Sequence, residues 1–253
     1  MIEKKWLGVG KDLTPQQAQY FQNGKARSQE YVVGASPDGY LFAPSPNYRE
    51  ANRGKGDIRG IVLHTTEGWD SGVRTLVDPD RRASAHFGVE RDGTIFQMVL
   101  EKDIAWHGGS SANNWTIGIE NAGFSKRPAS FSNAGKIQVG STFAEDIGYS
   151  DAQIQALAKL VADISKRYDI PIDRNHIFGH AHTGDCGSQP VAKPSNPYLE
   201  GKSGGSSCHY DPGDFNWDEF LKLVKKYRYG SMAPLLIATL FIGGGLYLAS
   251  RRG

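Results

Sequence analysis

The sequence has few cysteines, little net charge and no internal repeat, and these absences narrow the class of protein. Two cysteines, Cys186 and Cys208, are too few for a disulfide framework of the kind that holds small secreted domains together. A net charge of +2 gives no reason to expect a nucleic-acid partner. With 39% hydrophobic and 22% charged residues in a chain of 253, the sequence predicts one ample globular core or two small ones.

The start of the chain also lacks the pattern of a secretory signal. MIEKKWLGVGKD carries charges, but no apolar run follows them. Residues 1–44 are polar with scattered aromatic side chains, and we interpret them as an N-terminal arm. The domain that follows is predicted to span residues 45–229.

One long apolar segment lies near the other end of the chain. Residues 232–249, MAPLLIATLFIGGGLYLA, contain no charge, and as a helix they would span about 27 Å, close to the thickness of a hydrocarbon core. The alternative is a buried C-terminal helix, although three consecutive glycines, residues 243–245, weaken any helix in water and the segment has no polar face for a soluble surface helix. We therefore predict that residues 230–253 form a single-pass transmembrane anchor in a lipid bilayer.

Short apolar strands and helices alternate in the middle of the chain, which predicts an α/β (α+β) fold with helices packed on a mixed sheet. IRGIVLHTT, TIGIENA and NHIFGH have the apolar, β-branched character of buried strands. SAHFGVERDGTIFQMV alternates around Asp92-Gly93, a pair typical of a two-residue hairpin turn. An apolar stripe at helical spacing follows Ser150, and Gln153 is expected to complete a capping box there. FNWDEFLKLVKKYRY predicts a second, amphipathic helix.

Several side chains that bind metals stand where these strands end. His64 follows IVL and His180 follows IFG, so rigid strands would present both at an edge of the sheet. Farther along, Cys208, His209 and Asp211 add a thiol, an imidazole and a carboxylate. Two neutral imidazoles with a carboxylate or a thiolate suit zinc and leave a fourth position for water. The spacing is too wide to decide between these ligands, and either strand-end histidine alone is commonly structural.

A hydrolytic zinc site also needs a base, and Glu120 is the candidate. It ends the apolar strand TIGIE, which would hold the carboxylate in a dry environment. Burial there would raise the pKa of the carboxyl group toward the range that is useful at neutral pH. The alternative is a surface glutamate at a strand end, which is common.

Seven motifs carry a resemblance that runs from about residue 45 to residue 220. In chain order they are PSPNYR, IVLHTTEG, SAHFGVERDGTIFQMV, AWHGG, NNWTIGIE, IFGH and DPGDFNW. With these motifs in register, the sequence resembles the zinc-dependent N-acetylmuramoyl-L-alanine amidases of type 2. That family includes phage lysozyme-amidases, bacterial muropeptide amidases and peptidoglycan recognition proteins. The resemblance implies a type 2 amidase-like fold with a central mixed sheet flanked by helices.

The resemblance also implies a role for each site residue. His64, His180 and Asp211 match the ligands of one Zn²⁺ per chain, and Glu120 matches the general base. His209 stands where the family often has a lysine, and it would stabilise the oxyanion that forms during amide hydrolysis. Because a histidine is mostly neutral at neutral pH whereas a lysine is charged, activity is expected to depend on pH more than in lysine-bearing relatives.

The substrate that the resemblance implies is peptidoglycan or a muropeptide, cut between N-acetylmuramic acid and the L-alanine of the stem peptide. Trp106 and His107 of AWHGG are expected to line the groove, with Trp106 against a sugar face, and His86 is expected to be structural. Cys208 then drops out as a ligand. It is instead a candidate for a disulfide with Cys186 in an oxidising compartment.

Three cellular settings fit an amidase with a C-terminal anchor. They are a phage lytic enzyme at the host inner membrane or a virion membrane, a muropeptide-recycling enzyme on the inner membrane, and an exported enzyme held near the wall. The short chain without a wall-binding repeat favours the phage enzyme. Lysines and an arginine before the anchor agree weakly with an amidase on the cytoplasmic side.

A protein that binds peptidoglycan without cutting it is the alternative from a different class. Members of the family that have lost a zinc ligand behave in this way. Since His64, His180, Asp211 and Glu120 are all present here, the resemblance favours an enzyme.

Overall fold

A computed structural model describes residues 13–125, 137–139, 142–144, 148–183, 209, 211–213 and 215–230 of the chain. The helices of this part are α1 (Pro15–Gln29), α2 (Val73–Leu76), α3 (Gly109–Asn113), α4 (Asp151–Tyr168) and α5 (Trp217–Tyr229). The first six strands are β1 (Gly34–Ala35), β2 (Leu41–Phe42), β3 (Tyr48–Arg49), β4 (Gly60–Thr65), β5 (Phe87–Val89) and β6 (Ile95–Gln97). The others are β7 (Ile104–Ala105), β8 (Thr116–Asn121), β9 (Ile137–Val139), β10 (Thr142–Ala144) and β11 (Ile177–Gly179).

Seven of these strands form one mixed sheet in the order β1-β2-β6-β5-β8-β4-β11. The pairs β11–β4, β4–β8, β5–β8 and β2–β6 are parallel, whereas β5–β6 and β1–β2 are antiparallel. The central sheet with helices that the sequence predicts is therefore confirmed. Two small pairs, β3–β7 and β9–β10, lie apart from it.

Parallel pairing brings the ends of β4, β8 and β11 to one edge of the sheet. His64 is in register with Glu120, and Leu63 is in register with Gly179, the residue before His180. The carboxyl ends of parallel strands are a usual place for ligand sites in open α/β sheets. Strand order alone therefore places two histidines and a glutamate side by side.

Apolar side chains cover both faces of the sheet at β4, which is buried along its whole length. Ile61 and Leu63 pack on the face covered by the two long helices, whereas Val62 packs with Trp115 and Phe178 on the other face. The helices contribute, among others, Leu157, Val161, Phe220 and Val224. Each such side chain stabilises the fold by roughly 1.5–3 kcal/mol through burial, so the strands that carry the site are rigidly held.

Two local predictions need correction. Ser150 caps α4 as expected, but the amide of Gln153 donates to the carbonyls of Val89 and Ala122 instead of completing a capping box. It thereby ties α4 to the sheet. The hairpin between β5 and β6 is confirmed, but its turn is longer than two residues. The Glu90 N–H donates to the Thr94 carbonyl, which encloses three residues, the last being Gly93 with a left-handed φ of 88°.

The segment predicted to be an arm contains regular structure in its described part, from residue 13 onward. Thr14 and Gln17 form a capping box at the start of α1, and Pro15 occupies the first turn. Strands β1 and β2 then extend the main sheet through the parallel β2–β6 pairing. The boundary predicted between residues 44 and 45 is not tested by this arrangement.

Among the described residues, none of the helices is both long enough and apolar enough to cross a bilayer. The predicted anchor at residues 232–249 lies outside the described residues.

Candidate metal centre

Three predicted ligands converge at the carboxyl edge of the sheet. The Nδ1 atoms of His64 and His180 lie 3.2 Å apart, and Asp211 Oδ2 lies 3.3 Å from His64 Nδ1. Asp211 Oδ1 lies 3.7 Å from His180 Nδ1. One ligand atom from each residue lies within 4.8 Å of the others, and all three residues are buried. Sequence positions 64, 180 and 211 therefore form a single cluster, as the sequence predicts.

Asp211 reaches this cluster because β11 ends in a glycine. A Cβ atom at Gly179 would lie 2.3 Å from Pro212 Cδ and 2.9 Å from the Asp211 carbonyl oxygen. The Ala181 N–H donates to that same carbonyl. Only a residue without a side chain lets the Asp-Pro-Gly segment lie this close to the end of β11.

The electrostatics of the cluster suit a cation. Burial lowers the pKa of His64 to about 4, so its imidazole is neutral at neutral pH. Burial alone would raise the pKa of Asp211, but the adjacent imidazoles of His180 and His64 hold it well below its usual range. A metal requires deprotonated ligands, and two imidazoles with a carboxylate are a set that zinc accepts. The two imidazoles and the carboxylate of this cluster therefore fit a zinc ion.

Glu120 lies beside His64 and lines the same cavity. The side chain is partly buried, and its Oε2 atom is fully buried without a hydrogen-bond partner in the described part of the chain. Burial first, and then the charge of Asp211, raises the pKa of Glu120 to about 8 in the metal-free protein. A buried carboxyl oxygen without a hydrogen-bond partner is costly for stability and is typical of a group kept for chemistry.

His209 stands at the open side of the cluster. Its ring stacks on that of His180, with 3.7 Å between the centroids and 14° between the planes. Its Nδ1 atom lies 3.8 Å from Asp211 Oδ1, and its side chain is 40% exposed. The structure therefore brings His209 to the cluster, on its solvent side.

A cavity of about 580 Å³ opens over the cluster. Trp106, 37% exposed, lies on its wall as the sequence predicts, and Trp69 is a second aromatic wall that the sequence analysis missed. Arg27, Arg74 and Arg81 also line this cavity, and all three are exposed. Arg27 belongs to α1, so the N-terminal segment contributes directly to the groove.

The other predicted residues have different surroundings. His107 lines the cavity too, but it is buried and its ring contacts His64 rather than open groove. His86 is fully buried: it accepts a hydrogen bond from the Gly118 N–H on Nδ1, and its Nε2 faces the Asp103 carbonyl, as expected of a structural histidine. Cys186 and Cys208, the candidate disulfide, lie outside the described residues.

Arg53 is a supporting residue that sequence patterns did not reveal. Its guanidinium is buried and donates to four carbonyls, two just before β7 and two near the start of β8. They belong to Glu101, Asp103, Asn113 and Thr116. Burial lowers the pKa of Arg53 to about 10, so it stays charged at neutral pH. This one side chain shapes the segment that carries Trp106 and His107.

Comparison with known proteins places this arrangement among amidases. A family model described as N-acetylmuramoyl-L-alanine amidase matches residues 54–198. The chain is 30% identical over 152 residues to the 1,6-anhydro-N-acetylmuramyl-L-alanine amidase AmpD of Haemophilus influenzae, a match that covers 57% of this chain and 60% of AmpD. It is 34% identical over 150 residues to the N-acetylmuramoyl-L-alanine amidase AmiD of Escherichia coli, covering 53% of this chain and 48% of AmiD. The matches thus span about half to three fifths of these relatives.

A solved structure also aligns with this chain. The crystal structure of the Staphylococcus aureus hydrolase AmiA in complex with its ligand aligns with a TM-score of 0.47 and 15% identity. The alignment covers 86% of this chain and 92% of AmiA. The family assignment rests on the sequence matches.

Proposed function

Since the chain belongs to the N-acetylmuramoyl-L-alanine amidase family, we propose that it is a zinc-dependent enzyme that hydrolyses the amide bond between N-acetylmuramic acid and the L-alanine of a stem peptide. The observation that carries the proposal is the convergence in one cavity of His64, His180 and Asp211 with Glu120, whose buried Oε2 atom has no hydrogen-bond partner in the described part of the chain. The family match covers the region of both histidines and the glutamate. Asp211 lies beyond it and joins the site through its contacts with them.

The chain's own residues supply binding and proton transfer. His64, His180 and Asp211 would hold Zn²⁺, which supplies Lewis-acid polarisation of the amide carbonyl and acidifies water. Glu120 takes the proton of the attacking water and delivers it to the leaving amine, so that a neutral amine departs. His209, on the open side, donates a hydrogen bond to the carbonyl oxygen as negative charge develops on it.

The walls of the groove suit a glycopeptide. Trp106 and Trp69 offer flat apolar faces of the kind that pack against sugar rings, and Arg27, Arg74 and Arg81 offer guanidinium groups that bind carboxylates with paired hydrogen bonds. A muropeptide has a sugar at one end and a peptide bearing carboxylates at the other. The aromatic and the cationic side chains of the groove therefore support a muropeptide as the substrate.

Two settings for this activity are proposed. A phage lytic enzyme would act on intact wall, whereas a recycling enzyme would act on soluble fragments, the class of molecule for which AmpD is named. Turnover of intact sacculi and of a 1,6-anhydro-muropeptide, measured side by side, separates them. A rate on the soluble fragment that exceeds the rate on sacculi supports recycling, and the reverse supports lysis.

Removal of the metal tests the proposed activity directly. We expect dialysis against a chelator to abolish release of stem peptide from a muropeptide, because without the ion the amide carbonyl is not polarised and the water is not acidified. One equivalent of zinc should restore it. The reaction is followed by chromatography of the released peptide. Tight, zinc-independent binding of the muropeptide with no release of peptide would instead establish the non-catalytic alternative.

The anchor is proposed from its sequence alone. We expect a chain truncated after Gly230 to be soluble and as active as the full chain on a soluble muropeptide, because α5 ends at Tyr229 and closes the described core. The full chain should sediment with lipid vesicles and the truncated chain should not. A truncated chain that fails to fold, as judged by circular dichroism, would show that residues 231–253 complete the core.

A further inference from the structure

A chain of hydrogen bonds runs from the metal cluster into the interior. His64 has its Nδ1 atom toward Asp211 and its Nε2 atom 3.1 Å from His107 Nδ1. On the far side of that ring, His107 Nε2 lies 3.3 Å from Thr116 Oγ1, and Thr116 Oγ1 lies 2.8 Å from the Ala112 carbonyl oxygen. All four residues are buried.

The hydrogen bond between Thr116 and the Ala112 carbonyl determines which atom donates in each of the other hydrogen bonds. A carbonyl oxygen can only accept, so the Thr116 hydroxyl donates its proton to Ala112 and its oxygen accepts from His107 Nε2–H. The neutral His107 ring then carries no proton on Nδ1, which accepts from His64 Nε2–H. The proton of His64 is thereby held on Nε2, and the lone pair of its Nδ1 atom points at Asp211 and His180.

The surrounding backbone is built to hold the His107 ring in this place. A Cβ atom at Gly118 would lie 2.3 Å from His107 Cγ, so the ring rests directly on β8 where there is no side chain. The Asn113 side chain accepts hydrogen bonds from the N–H groups of His107 and Gly108, which fixes the backbone on the other side. These contacts orient the ring without using either of its nitrogens.

We propose that His107 is a positioning residue for the zinc ligand His64, and that the His107–Thr116 pair selects the His64 tautomer that presents Nδ1 to the metal. This inference rests on the proposed zinc site. It assigns His107 a contact with a ligand rather than with substrate. Outer partners of metal-bound histidines orient the ring and raise its basicity, and their loss typically weakens metal binding by about 10–100-fold.

A matched pair of variants tests the hydrogen bond against mere packing. His107→Leu and His107→Asn have similar shapes, but only asparagine keeps an acceptor near the position of Nδ1. We expect His107→Leu to bind zinc about 10–100-fold more weakly and His107→Asn to recover most of that loss. Zinc affinity is measured by competition with a chromogenic chelator. His176→Leu, which removes a histidine paired with Asp173 away from the cluster, is the control and should bind as the natural chain does.

Two further variants leave both histidines in place. Thr116→Val removes the hydroxyl that sets the His107 tautomer, and Gly118→Ala displaces the ring. Nitrogen-15 spectra of the metal-free natural chain should show His64 protonated on Nε2, and Thr116→Val should shift His64 toward a mixture of tautomers. These spectra also decide the question if His107→Leu does not fold.

The possible outcomes separate this inference from the proposed function. Equal zinc affinity in the natural chain and in both His107 variants overturns the inference, as does an equal loss in both variants or a His64 proton on Nδ1. A natural chain that binds zinc with the expected dependence on His107, yet releases no peptide, overturns the proposed function alone. A natural chain that binds no zinc overturns both.

Discussion

Replacement of Glu120 by glutamine is expected to lower muropeptide turnover by about 10²–10⁴-fold while zinc remains bound. Glutamine keeps the size of the side chain but can neither accept the proton of water nor deliver one to the leaving amine. His64, His180 and Asp211 are unchanged by the substitution, so the metal content measured after dialysis should equal that of the natural chain. Steady-state release of stem peptide gives the rate.

The matched control for that experiment removes a ligand instead. Asp211→Asn should lose both zinc and turnover, because a neutral amide replaces the charged donor of the cluster. If Glu120→Gln also loses its zinc, then Glu120 is a ligand and the assignment of the base is wrong. If turnover survives with zinc in place, another group transfers the proton.

The same substitution has a pH signature in the metal-free protein. The pKa of Glu120 rises from 4.5 in the unfolded chain to about 8 in the fold. Between these values the folded chain holds a proton that the unfolded chain releases, so the contribution of this carboxyl to stability is complete below about pH 4.5 and is lost as the pH rises through about 8. Relative to the natural chain, Glu120→Gln should gain stability over that interval. Denaturant titrations at several pH values measure the difference, and a constant difference would contradict the shift.

Replacement of Arg53 by methionine is expected to lower the free energy of unfolding by about 4 kcal/mol. Four backbone carbonyls lose their charged donor in a dry interior, and each buried acceptor left unpaired costs roughly 1–3 kcal/mol, part of which relaxation of the segment recovers. Urea titration of the natural chain and the variant gives the difference. Because Arg53 shapes the segment that carries His107, the variant should also bind zinc more weakly.

Two comparisons define what the Arg53 result means. Arg53→Lys keeps the charge but cannot span both pairs of carbonyls, so it should recover about half of the loss. Arg82→Met alters an exposed arginine and should change stability by no more than about 0.5 kcal/mol. A loss below about 1 kcal/mol in Arg53→Met would show that solvent or neighbouring groups replace the guanidinium.

The sequence was informative where function depends on residue type at the end of a strand. IVLH, TIGIE and IFGH each combine an apolar strand with a polar last residue, and that local pattern predicts both the strand and a polar side chain at its carboxyl end. Because β4, β8 and β11 are parallel neighbours, the predicted histidines and glutamate meet. The order of the motifs was sufficient to indicate the family, and Asp211 was indicated by its place before Pro-Gly.

Contacts between residues far apart in the chain were decided only by the tertiary structure. Gln153 lies three residues after the capping Ser150, yet its side-chain NH2 group donates to carbonyls of β5 and of the residue that follows β8, a choice that no local pattern encodes. Arg53 looks like one charge in a polar loop, and only folding surrounds it with carbonyls about 50 to 60 residues away. His107 was expected on the groove wall because AWHGG resembles the segment that lines the substrate groove in the family. Its burial against His64, made possible by the missing side chain of Gly118, sets its surroundings. Residue type and local periodicity thus specified the chemical groups and the strands, whereas long-range packing in a dry interior decided which hydrogen bonds each group makes.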